Sequence, residues 1–154
     1  MNGNESEGIR ANAIARPTDG SYAGAVTPEE ALALLAAMPE ARLIDVRTRA
    51  ELDWVGKPSI SADQYLTVEW TTWPGAKPNE HFVEQLKAAA GADRPLLFLC
   101  RSAVRSKLAA RAATSAGYTQ CFDILEGFEG DRDAEGHRKT VGGWCKRGLP
   151  WIGA

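Results

Sequence analysis

The sequence predicts an α/β domain with a mainly parallel central sheet and helices on both faces. Short apolar runs, RLIDVR, PLLFL and CFDIL, recur along the chain, each the length of a buried strand. Stretches of helical composition, opened by capping residues or closed by glycine, stand between them. Alternation of this kind produces right-handed crossovers, which put helices on both sides of a parallel sheet. At 154 residues, with 44% apolar residues, the chain can bury a core of its own as one domain.

Residues 1–20 are rich in Asn, Ala, Gly and Glu without a sustained period, and read as a flexible arm; residues 21–154 read as the domain. Thr27-Pro28-Glu29-Glu30 starts a helix, with Thr27 as cap, Pro28 in the first turn and Glu30 completing a capping box. The Ala- and Leu-rich helix stops near Met38-Pro39. Arg42 to Arg47 reads as a buried strand whose end emerges at Asp45, and Gln64 to Trp70 as another, with a Gly- and Pro-broken stretch between them. Trp73-Pro74-Gly75 turns the chain. Asn79 caps a helix through Ala90, ended by Gly91 in a left-handed conformation. Pro95 to Leu99 is the strongest core strand. Ser102 to Ala116 is helical with Gly117 as its stop, Cys121 to Leu125 is a strand, and a short final helix is expected around Val141 to Arg147.

The charge balance is 18 Lys+Arg against 20 Asp+Glu, a net −2, which gives no electrostatic footprint for nucleic acid. The longest apolar stretch, Ala31 to Met38, is far short of the ~18 residues that suggest a membrane span. The opening MNGNESEG is polar and no apolar segment of a secretory signal follows, so the expected location is the cytoplasm. Three widely spaced cysteines, Cys100, Cys121 and Cys145, suit individual thiols in a reducing compartment better than a disulfide framework or a zinc site. No metal and no cofactor are called for.

The chemistry concentrates at Leu96-Leu97-Phe98-Leu99-Cys100-Arg101-Ser102-Ala103-Val104-Arg105-Ser106. A buried strand delivers Cys100 to its carboxyl end, where ligands bind in open parallel sheets. Successive loop amides and the start of a helix then converge on the sulfur, and Arg101 and Arg105 add positive charge; each of these favours thiolate over thiol. Cys100 is therefore the candidate nucleophile. Cys121, opening an apolar strand, reads as core, and Cys145 as incidental.

CRSAVRS after LLFL resembles the active-site loop of the rhodanese family of sulfurtransferases. LIDVR resembles the Asp-x-Arg element of that domain, with Glu51 following. VTPEEA resembles its opening segment, ILEGFEG the turn after its last core strand, and GGWCKRGLPW the closing helix of single-domain members. The resemblance runs over roughly residues 21–151. It implies a rhodanese-like fold and a sulfurtransferase of the thiosulfate sulfurtransferase type. Cys100 would accept sulfur from a small-molecule donor, thiosulfate or another persulfide, and pass it to a thiol, cyanide or a sulfur-accepting protein. In that reading the amides of Arg101, Ser102, Ala103, Val104 and Arg105 cradle the sulfur. The Arg101 and Arg105 side chains hold an anionic donor or order the loop. Ser102 and Ser106 donate hydrogen bonds, and Ser106 also caps the next helix. Asp45, Arg47 and Glu51 support the site, Asp45 and Arg47 as a salt-bridged scaffold, or Asp45 or Glu51 by orienting a loop arginine. Ser102 and Ala103 are departures, standing where members often carry a basic residue and a glycine.

Four residues separate Cys100 from Arg105. Cysteine phosphatases and arsenate reductases of related fold carry five, in a loop that encloses a tetrahedral anion; the shorter loop favours a single sulfur. The rival readings are a rhodanese-like binding module without turnover and such a phosphatase relative. His81 and His137 lack metal-ligand company. The five tryptophans read mainly as core edges, with Trp70 and Trp73 able to line a pocket rim or a protein-docking surface.

Overall fold

The computed structural model describes residues 3–154. In chain order the elements are α1 (Gly3–Ala15), β1 (Gly24–Val26), α2 (Pro28–Ala37), β2 (Arg42–Asp45), α3 (Arg49–Val55), β3 (Lys57–Pro58) and β4 (Tyr65–Thr67). There follow β5 (Thr71–Thr72), β6 (Lys77–Pro78), α4 (Phe82–Ala89), β7 (Leu96–Leu99), α5 (Arg105–Ser115), β8 (Cys121–Ile124) and β9 (Trp151–Ile152). Five strands form the central sheet in the order β1-β8-β7-β2-β4, every neighbouring pair parallel, as the alternating sequence pattern requires. Two small antiparallel ribbons, β3 with β9 and β5 with β6, lie outside it. No helix among the described residues is long and apolar enough to cross a membrane.

Alternation along the strands divides the core in two. Ile44, Leu96, Phe98, Cys100 and Cys121 share one face with Leu86 of α4 and Ala109 and Ala113 of α5. Leu43, Leu97, Leu99, Phe122 and Ile124 share the other with Ile9 of α1, Leu34 of α2, Phe128 and Trp144. The central strands β7 and β8 are buried at every residue, which accounts for their almost unbroken apolar sequence. The one charge in them, Asp123, is taken up below.

Local chemistry explains most boundaries. Thr27 caps α2 in a complete capping box with Glu30. A second box, Thr48 with Glu51, starts α3 in a stretch where the sequence reading expected only a broken connection. α4 begins late, at Phe82, because the Asn79 side chain accepts from the His81 amide in a turn instead of capping the helix. It closes on extended Ala90, and Gly91 is not left-handed. The expected closing helix near residues 141–147 is a series of turns that carries Trp144 into the core, its Nε1 donating to the Pro150 carbonyl at 2.8 Å.

The segment read as a flexible arm contains α1; residues 1 and 2 of it lie outside the described residues. Its buried face is narrow and small, made by Ser6, Ile9 and Ala13 at helical spacing, so composition gives little sign of it. Arg16, just past the helix, binds Glu30 through two hydrogen bonds of 2.5 and 3.1 Å and reaches the Ala25 carbonyl at 2.9 Å. The helix approaches β1 so closely that a Cβ on Gly24 would lie 2.4 Å from the Ala13 carbonyl oxygen. Gly24→Ala should therefore push α1 off the sheet edge. Hydrogen–deuterium exchange is expected to rise across residues 4–15 with β7 and β8 unaffected; unchanged exchange in that helix contradicts the docking.

Candidate active site

β7 ends at Leu99 and hands Cys100 to the carboxyl edge of the sheet, on the face shared with Phe98 and α5. The side chain is 1% exposed. The chain then turns through Arg101–Val104, with Ala103 at φ +70°, and α5 starts at Arg105. This left-handed conformation is one that glycine adopts most readily, and Ala103 adopts it here. The turn brings the Ser106 amide to 3.3 Å from Cys100 Sγ, with Ser106 Oγ also 3.3 Å away. Among the described residues Ser106 supplies the amide hydrogen-bonded to the sulfur, one position beyond the run expected from the sequence. Ser106 does not cap α5 either: Val104 occupies the cap position, without a side-chain bond.

The Ser106 hydroxyl is instead turned inward, 2.5 Å from Asp123 Oδ1. Asp123 is fully buried in β8, and among the described residues its Oδ2 has no hydrogen-bond partner; Lys107 Nζ stands 3.5 Å from it. Burial pushes this carboxyl up to about 6, against the Ser106 hydrogen bond and the Lys107 ammonium, which pull it down. Sequence reading missed Asp123, although a charge inside the apolar strand CFDIL was the available signal, since a buried carboxylate needs a partner.

Arg105 is held by Glu51 through a two-pronged ion pair, 2.6 and 2.9 Å. Glu51 Oε1 also accepts from the Thr48 amide at 3.0 Å, so one carboxylate caps α3 and clamps the start of α5. Burial raises its proton affinity, but hydrogen bonds from Arg105 and Thr48 and the Arg105 charge outweigh it and bring the carboxyl down to about 2. Of the two carboxylates expected to orient a loop arginine, Glu51 makes that contact.

Asp45 does not reach the loop arginines. It lies on the opposite face of the sheet, where Arg47 meets it at 2.9 and 2.7 Å and the Tyr65 hydroxyl donates at 2.7 Å. Both members of this pair are fully buried, and the Arg47 guanidinium also sits 4.3 Å over the Phe128 ring. Burial alone would lower the Arg47 value, yet the attraction and hydrogen bonding of Asp45 hold it raised. Breaking such a pair costs about 3–5 kcal/mol, which makes it a fixture of the fold behind the site.

Arg101 is exposed, and its guanidinium makes no ion pair among the described residues. It lines a cleft of about 320 Å³ with Arg105, Glu51, Trp54 and Trp73, whose rings meet edge to face at 5.8 Å. Trp70 instead packs on Phe82 at 5.0 Å. The loop carbonyls are tied from behind: the Phe128 amide donates to Cys100 O at 2.8 Å and the Glu129 amide to Arg101 O at 3.0 Å. Gly127 permits this approach, since a Cβ there would lie 2.5 Å from the Arg101 carbonyl carbon. Ser102 and Val104 make no contact with the sulfur among the hydrogen bonds of the described residues. Burial pushes both Cys121 and Cys145 up to about 11. His81 and His137 are exposed, each beside a glutamate. Among the described residues no three His, Cys, Asp or Glu side chains are grouped to hold a metal ion.

The fold, together with a cysteine at the end of a central parallel strand, defines a class. The family model of the rhodanese-like domain matches residues 27–134, and the chain belongs to that family. A crystal structure of Rv0390 from M. tuberculosis superposes with a TM-score of 0.79 at 44% identity, over 85% of this chain and 98% of that one. An uncharacterized protein of Rickettsia rickettsii is 34% identical over 119 residues, 77% of this chain and 88% of the relative. A polysulfide-sulfur transferase homodimer from Wolinella succinogenes shares the fold with a TM-score of 0.58 at 20% identity, over 97% of this chain and 85% of that one.

The Glu51 clamp has a pH signature. Its carboxyl value is lower folded than unfolded, so its stabilisation is present above the unfolded value, about 4.3, and is lost as pH falls toward about 2. Between about pH 5 and 2 the wild type should lose on the order of 1–3 kcal/mol more than Glu51→Gln in urea titrations. Parallel acid losses in the two proteins contradict the clamp.

Proposed function

We propose that this protein is a sulfurtransferase whose Cys100 carries sulfur as a persulfide from a donor to a thiophilic acceptor. The observation behind this reading is the position of Cys100 Sγ at the carboxyl end of β7, hydrogen-bonded by the amide of Ser106, the second residue of α5. The rhodanese-like family and the fold shared with a polysulfide-sulfur transferase support it.

The chemistry balances without an added oxidant. Cys100 sulfur attacks the outer sulfur of the donor, a new S–S bond forms, and the donor's own S–S bond breaks with its electron pair leaving on the remainder, sulfite in the case of thiosulfate. The acceptor then attacks the terminal sulfur, and the electron pair of the broken bond returns to Cys100. Two displacements of this kind give ping-pong kinetics. Arg101, solvent-facing and free of an ion pair among the described residues, is the charge available to an anionic donor. Arg105 is neutralised by Glu51, which supports a role in fixing the loop and speaks for sulfur over a phosphate dianion.

Intact-protein mass spectrometry after incubation with thiosulfate or polysulfide tests the proposal. The wild type should gain about 32 Da, the mass of one persulfide sulfur, and lose it to cyanide or a reductant. Cys100→Ser, which keeps Cys121 and Cys145, should gain nothing. No gain with any donor, or an equal gain in Cys100→Ser, contradicts the proposal.

A further inference from the structure

The strand register sets a second group beside the nucleophile. Asp123 of β8 pairs with Phe98 of β7, and side chains two apart on a strand share a face, so Cys100 and Asp123 point to the same side of the sheet. α5 opens over that side, and Ser106 in its first turn stands between them. The distances run 3.3 Å from Sγ to Ser106 Oγ and 2.5 Å from Oγ to Asp123 Oδ1. All three side chains are buried, so solvent does not compete for these bonds. The donors are ordered in one direction: the thiol donates to the hydroxyl and the hydroxyl to the carboxylate. We infer that Asp123 takes the Cys100 proton through the Ser106 hydroxyl during sulfur loading, and returns it during sulfur release.

The inference rests on the reading of Cys100 as the nucleophile. As Sγ bonds to the donor sulfur, its proton passes to Ser106 Oγ while the Ser106 proton passes to Asp123 Oδ1. The carboxylate becomes a carboxylic acid, and the negative charge now resides on the persulfide and the departing group. On release the acceptor takes the outer sulfur, Cys100 recovers the electron pair, and the two protons move back. Ser106 touches the reacting sulfur; Asp123 acts through it and is a positioning residue and proton store.

A purely structural role fits Asp123 poorly. Its carboxyl is raised by burial, so above about pH 6 its charge weighs against the fold, and Oδ2 goes without a hydrogen bond among the described residues. The titratable and charged groups facing it are Lys107 and Ser106 from α5, Tyr22 from the segment before β1, and Cys100 from the end of β7. Lys107 also donates to the Ala103 carbonyl at 2.9 Å, which holds its charge over the carboxylate.

The test is the rate of Cys100 alkylation by iodoacetamide against pH, read by peptide mass spectrometry so that Cys121 and Cys145 are counted apart. It requires no sulfur donor and so is independent of whether the protein transfers sulfur. In the wild type the rate should fall as pH drops through about 6, where Asp123 protonates and can accept nothing more. Asp123→Asn and Ser106→Ala should each react at least about tenfold more slowly at pH 7, without the inflection near 6, and the double variant should be no slower than either. Lys107→Met, which keeps the relay intact but removes the charge that pulls Asp123 down, should move the inflection to higher pH, and it decides the matter should Asp123→Asn fail to fold. A wild-type profile retained in Asp123→Asn and Ser106→Ala, or an inflection that stays fixed in Lys107→Met, overturns the inference. Failure of sulfur loading with this pH behaviour intact would sink the transferase reading alone.

Discussion

The junction between β7 and α5 is the constraint on which the rest depends. In the five residues between Leu99 and Arg105 the chain must leave a buried strand, reverse, and start a helix whose second residue returns to the sulfur it has just passed. That path exists because Ala103 accepts a left-handed conformation and because Gly127 lets the following turn close up against Arg101. The 3.3 Å contacts of Ser106 with Cys100 are the product of this path. Shifting α5 by a single residue would set another side chain against the sulfur and leave Asp123 buried without its hydroxyl partner.

Two ion pairs sit near this junction and do different things. Asp45 with Arg47 lies on the far side of the sheet, wholly buried and sealed by Tyr65 and Phe128, so it fixes the end of β2 and touches no reacting group. Glu51 with Arg105 bridges α3 to the first residue of α5 at the rim of a cleft. It stiffens the loop from outside while the turn after β8 stiffens it from behind. With Arg105 engaged, the exposed positive charge left over the cleft is Arg101, flanked by the Trp54–Trp73 pair.

Much of this was legible in the sequence. The apolar runs RLID, LLFL and CFDI announce three of the five parallel strands, and the Thr27 capping box marks the start of α2. CRSAVRS after LLFL identifies the loop itself. What stayed hidden depends on distance in space. The partner of Asp45 is two residues away and could be guessed, but that of Arg105 is 54 residues away, and only the packing of α3 reveals it. The pairing of Ser106 with Asp123 is set by the β7–β8 register, which no local pattern encodes. α1 leaves little trace in the sequence because small residues make its buried face, whereas the turns at the end of the chain are signalled by Gly142-Gly143, the second of them left-handed, and form where a helix was expected.

The most direct measurement is a crystal structure of the protein after exposure to a sulfane donor. An additional sulfur is expected on Cys100 Sγ, enclosed by the main chain of Arg101–Arg105, with Ser106 still between Cys100 and Asp123. Additional sulfur on Cys121 or Cys145 with Cys100 unchanged, or a Cys100 persulfide turned away from that loop, would contradict it.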